Sequence, residues 1–107
     1  MAIALSLANT ETGKDRMQDL PDGPKSLLIL DDDAPLRNRL ARAMESRGFE
    51  VITAETVSEG ISLAQQTPPA YAVVDMRLAD GSGLDVVAAI RDAREDARII
   101  LLTSYGN

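Results

Sequence analysis

Apolar positions first become continuous at Leu27-Leu28-Ile29-Leu30, and three carboxylates, Asp31-Asp32-Asp33, follow at once. Four aliphatic residues in a row predict a strand buried on both faces, as in a parallel sheet. The period then changes. Leu36, Leu40, Ala43 and Met44 recur at three- and four-residue spacing and predict a helix, with Asp33 as its cap, Pro35 in its first turn and Gly48 as its stop. Phe49 to Thr53 reads as a second strand. Thr56 and Glu59 have the spacing of a capping box and open a second helix with Val57, Ile61 and Ala64 inward, which Pro68-Pro69 ends. Tyr71 to Asp75 is a third strand. Ser82 and Asp85 open a third helix carrying Leu84, Val87, Ala88 and Ile90, and Arg98 to Leu102 is a fourth strand. Strands alternating with helices predict right-handed crossovers and an α/β domain with a parallel sheet.

Residues 1–24 break this pattern. Asn9 to Pro24 mixes polar residues with Gly13, Pro21, Gly23 and Pro24, and the expectation is a flexible tail, with the folded domain over 25–107. After the fourth strand only a few residues follow, so Ile99 to Leu102 is expected to lie partly uncovered, a pairing liability.

Composition removes several chemistries. The 107 residues suffice for one domain, and with no Cys and no His the chain has no disulfide, no zinc site of the usual ligands, no thiol nucleophile and no imidazole base. A net charge of −6 argues against nucleic acid binding by these residues themselves. No apolar run is long enough to span a membrane, and the short apolar start at Met1 lacks the basic flank of a signal peptide. A cytoplasmic location is the expectation.

Carboxylates at strand ends are the strongest remaining candidates. If the first and third strands are parallel neighbours, Asp31, Asp32 and Asp75 meet at the carboxyl edge of the sheet, where open α/β sheets place ligands. Two carboxylates about 5 Å apart repel by about 3 kcal/mol at an effective dielectric near 20. A hard divalent cation such as Mg²⁺ would reverse that cost. Asp75 is the candidate reacting group, since a carboxylate can attack phosphorus once the charge is neutralised. Thr103 is a candidate hydroxyl for a phosphoryl oxygen, with Ser104 beside it. The backbone carbonyl near Arg77 could reach a metal held by Asp75. Met76 to Gly83 reads as a turn feeding the third helix and lacks the Lys of a Walker loop.

Taken in order, Leu-Leu-Ile-Leu-Asp-Asp-Asp33, Val-Val-Asp75 with Gly81 and Gly83, and Ile-Leu-Leu-Thr103 resemble the receiver domain of two-component response regulators. The resemblance covers Lys25 to Asn107. Leu40 to Val51 and Pro68 to Leu78 are similar more narrowly to the RegA/PrrA/ActR group of redox-responsive regulators. It implies a CheY-like (flavodoxin-like) parallel sheet with helices on both faces. It also implies that Asp75 accepts a phosphoryl group from a sensor histidine kinase. Mg²⁺ would be bound by Asp32, Asp75 and the Arg77 carbonyl, with Asp31 acting mainly through metal-bound water and Thr103 as the switch hydroxyl. The family continues into a further strand with a following Lys, and this group into a DNA-binding domain that controls transcription. The chain stops before both. The expectations are therefore an incomplete receiver, weak Mg²⁺ binding, poor phosphorylation, a partly uncovered stripe of Leu36, Leu40 and Met44, and self-association.

Two rival readings remain open. A haloacid-dehalogenase-type phosphatase would make Asp31 the nucleophile and Asp33 the general acid. An interaction module would keep the acidic cluster without phosphorylation.

Overall fold

The doubly buried runs form the middle of one sheet in a computed structural model, which describes residues 2–8 and 25–105. Strand β1 spans Ala2–Ala8, β2 Ser26–Leu30, β3 Glu50–Ala54, β4 Tyr71–Asp75 and β7 Arg98–Tyr105. Between them lie α1 (Ala34–Glu45), α2 (Val57–Gln66), a short hairpin of β5 (Arg77–Leu78) and β6 (Gly81–Ser82), and α3 (Gly83–Ala93). The sheet order is β1-β7-β4-β2-β3. Strands β3, β2, β4 and β7 run parallel, and β1 pairs antiparallel with β7. From β2 the chain moves outward to β3 and then returns to the other side as β4. The reversal falls between β2 and β4, the switch point at which doubly wound sheets open a crevice.

Alternation along each strand divides the core between the two faces. Leu28, Leu30, Ala72, Val74 and Ile99 face α2 and α3, together with Val57, Ala64, Val86 and Ile90. Leu27, Ile29, Val73 and Leu102 face the other way, where Leu40, Ala41 and Met44 of α1 pack on them. There the Phe49 and Tyr71 rings meet edge to face at 5.3 Å. No residue of α1 is fully buried, and its inward positions include Ala41, whereas Ala43 is exposed.

Local caps lie where the spacing places them. Asp33 accepts the Leu36 amide at 3.1 Å, and Gly48 ends its turn with φ of +93°, the left-handed region open to glycine. Thr56 accepts the Glu59 amide at 3.1 Å. The Glu59 carboxylate reaches back to the Glu55 amide at 3.0 Å, one residue before the cap.

Two expectations change. The tail expected over 1–24 does not hold for Ala2–Ala8, whose strand registers with β7 from Ala2 opposite Tyr105 to Ala8 opposite Ile99. The edge expected to drive self-association is thereby covered; residues 9–24 lie outside the described part. In α3, Gly83, Val86 and Ile90 face inward, while Leu84 is 47% exposed and Ala88 is also exposed. The reason is Gly83: with no side chain, it lets the start of α3 press against the end of β4 and sets the rotation of the helix.

Candidate metal and phosphoryl-acceptor site

Strand β2 ends at Leu30, so Asp31 and Asp32 emerge at its carboxyl tip, and Asp75 is the last residue of the adjacent β4. One carboxylate oxygen from each of Asp31, Asp32 and Asp75 lies within 4.8 Å of the other two. Their exposure is graded: Asp31 is buried, Asp75 half-buried and Asp32 exposed. The cluster thus has a closed floor and an open mouth.

Backbone bonds fix the floor. The Asp31 amide donates to the Ala54 carbonyl at 3.1 Å, and its Oδ1 accepts the Asp33 amide at 2.9 Å. Arg37 Nη1 donates to the Asp31 carbonyl at 2.8 Å and lies 3.8 Å from Glu55. Asp75 Oδ1 accepts the Arg77 amide at 3.1 Å. The Met76 amide continues the sheet by donating to the Leu102 carbonyl at 2.9 Å. Asp75 registers with Leu102 across β4 and β7, which puts the half-buried Thr103 one residue beyond it, at the same edge. The Ser104 side chain lies outside the described part.

The electrostatics are those of a site awaiting positive charge. Burial pushes the Asp31 carboxyl up to about 6, and the charges of Asp75, Asp32 and Asp33 push the same way against the Asp33 amide. Burial also raises Asp75, aided by Asp32 and opposed by the amides of Arg77 and Met76 and by a hydrogen bond with Asp31. Folding has gathered three carboxylates, and two of them, Asp31 and Asp75, resist ionising in that company. An all-oxygen set with an open side fits a hard cation that retains water, such as Mg²⁺. Asp33 does not join the cluster, because its carboxylate caps α1. The general acid of the phosphatase reading is thereby lost.

Other features were not anticipated. Residues 77–82 form a hairpin, for which Asp80-Gly81 is a turn signal. The Asp80 carboxylate accepts the amides of Val57 and Ser58 at 2.8 and 3.1 Å. No local spacing signals that bond.

Comparison with known proteins shows the family to which this fold belongs. The family model described as "Response regulator receiver domain" matches residues 27–107. The chain is 61% identical over 89 residues to the acid tolerance regulatory protein ActR of Rhizobium meliloti, covering 83% of this chain and 46% of that protein. It is 60% identical over 82 residues to the photosynthetic apparatus regulatory protein RegA of Cereibacter sphaeroides, covering 77% of this chain and 45% of that protein. The chain thus spans about half the length of these relatives. A response regulator from Burkholderia pseudomallei, solved with a phosphorylated aspartic acid, calcium ion and citrate, superposes with a TM-score of 0.71 at 36% identity, over 78% of this chain and 49% of that one. A CheY-like receiver domain from Methanospirillum hungatei gives a TM-score of 0.72 at 27% identity, over 79% and 68%. Receiver domains form a signalling family, whose members interact with sensor histidine kinases and bind Mg²⁺ at an acidic pocket. With its parallel sheet, its switch-point carboxylates and its match over most of its length, the chain belongs to the receiver domains of two-component response regulators, of the ActR/RegA type.

Proposed function

We propose that Asp75 accepts a phosphoryl group from the phosphohistidine of a sensor kinase, with Mg²⁺ held by Asp32, Asp75 and the Arg77 carbonyl. The convergence of Asp31, Asp32 and Asp75 carries this reading. An oxygen of ionised Asp75 forms the O–P bond as the N–P bond to the kinase histidine breaks, and the imidazole leaves with the electron pair and takes up a proton. Mg²⁺ supplies the positive charge without which a phosphoryl group would meet three carboxylates. Asp75 is half-buried at the pocket, and the Arg77 amide orients its Oδ1. Asp31, on the pocket floor, orients water around the cation. Thr103, beyond Leu102, offers a hydroxyl to the phosphoryl oxygens after transfer. The phosphorylated aspartic acid of the Burkholderia protein supports the assignment by likeness.

By likeness to ActR and RegA, the whole protein would act in the cytoplasm, controlling transcription in a redox response through a DNA-binding segment outside the matched residues. No helix among the described residues is long and apolar enough to cross a membrane.

Treatment with a small phosphodonor and Mg²⁺, followed by peptide mass spectrometry, tests the assignment. An acyl phosphate on Asp75 that vanishes in Asp75→Asn is the expected result. An adduct on Asp31, or one formed equally without divalent cation, would overturn it.

A further inference from the structure

The hairpin after Asp75 is tied to α2 by a pair of bonds that phosphoryl acceptance does not require. Asp80, in the turn between β5 and β6, accepts the first two amides of α2, those of Val57 and Ser58. Thr56 accepts the third, that of Glu59. Helix α2 therefore has a local cap and a second one delivered across 22 and 23 residues of sequence. The negative charge also lies at the positive pole of the helix.

The hairpin needs this anchor more than the helix does. Two strands of two residues each have no stability of their own. At its base, the Gly83 amide donates to the Met76 carbonyl at 2.9 Å. Its first residue, Arg77, is bonded to Asp75, and half-buried Leu78 packs on the core. Its turn is held by Asp80. The backbone of Arg77 is thus strung between the Asp75 carboxylate on one side and an anchor on α2 on the other.

We infer that Asp80 is a positioning residue: by fastening the β5–β6 hairpin to the first turn of α2, it holds the Arg77 backbone beside Asp75 and couples cation binding to the amino end of α2. The inference rests on the cation site proposed above and adds a second place where occupancy is felt. Such coupling is reciprocal, so Mg²⁺ in the pocket must tighten the Asp80 bonds as much as those bonds tighten Mg²⁺.

Mg²⁺ titration of the wild type, Asp80→Ala, Asp80→Asn and Thr56→Ala, at a temperature where circular dichroism shows each folded, tests it alongside amide exchange at Val57 and Ser58. Asp80→Ala should bind Mg²⁺ roughly tenfold more weakly, and Asp80→Asn, which keeps one acceptor oxygen, should fall between. Thr56→Ala weakens the same helix without touching the hairpin and should leave the affinity unchanged. In the wild type Mg²⁺ should slow exchange at Val57 and Ser58, and in Asp80→Ala it should not. Should Asp80→Ala fail to fold, Asp80→Asn and the exchange data decide. Unchanged affinity in the Asp80 variants, or an equal loss in Thr56→Ala, overturns the coupling alone. A wild type that does not bind Mg²⁺ overturns the cation site and the coupling with it.

Discussion

The Asp75 carbonyl oxygen occupies the space that a β-carbon on Gly83 would need. Val74 Cγ1 would lie 2.8 Å from the same atom. Glycine is required here for close approach, because α3 starts against the end of the strand that carries the proposed phosphoryl acceptor.

Gly83→Ala is accordingly expected to destabilise the protein by roughly 3 kcal/mol, the upper range of overpacking, since a backbone carbonyl cannot turn aside as a side chain can. Urea unfolding followed by circular dichroism measures the loss. A change below about 0.5 kcal/mol, ordinary for a surface site, would contradict it.

Asp31 makes stability depend on pH. Its carboxyl is raised from 3.8 to about 6 in the folded state, so the folded chain binds this proton more tightly than the unfolded chain. In divalent-free buffer its contribution is fully present below the unfolded value and is lost as pH rises through about 6. At most about 3 kcal/mol is at stake, from the rise of this carboxyl from 3.8 to about 6. Asp80, lowered by its bonds to Val57 and Ser58, acts oppositely: its contribution is present above its unfolded value and fades as pH falls through its folded one. Asp31→Asn keeps an acceptor for the Asp33 amide while removing the charge. Unfolding curves between pH 5 and 7.5 should lose part of their slope in this variant, the rest belonging to Asp75, which is also raised, and should show a more stable metal-free protein at neutral pH.

Magnesium should stabilise the wild type by mass action, by about 2.7 kcal/mol at one hundred times its dissociation constant. Asp32→Asn should lose most of that gain. Without metal it should be slightly more stable than wild type, by about 0.5 kcal/mol, because an exposed repulsive charge has gone. Thermal unfolding with Mg²⁺ and with EDTA separates the two effects; an undiminished Mg²⁺ response in Asp32→Asn would remove this residue from the site.

Deleting residues 2–8 should uncover the edge of β7. Backbone groups now paired with β1 would then be open to another chain. Sedimentation velocity should show concentration-dependent association in the shortened protein and not in the parent.

The acidic pocket was legible because its signal is local: buried runs stop at Leu30 and Val74, and the next residues are charged. The caps by Asp33, Thr56 and Ser82 were legible for the same reason, each acting two or three residues along the chain. Asp80 was not, since its partners lie on another element. The inward face of α3 was misread because glycine carries no hydrophobic signal, although Gly83 is the residue in closest contact. Gly60 hides in the same way, with its missing β-carbon 3.1 Å from Leu30 and Val86. Strand β1 did leave a trace: large and small residues alternate through Ile3, Ala4, Leu5, Ser6 and Leu7, a two-residue period outweighed by the polar stretch after it.

Helix α1 differs from α2 and α3 in burying no residue fully. Its own side chains are all at least partly exposed, whereas α3 carries Val86 and Ile90, both fully enclosed. A protease offered the native fold should therefore make its first cut around the arginines of α1, and the fragment pattern would record how unevenly the sheet grips its helices.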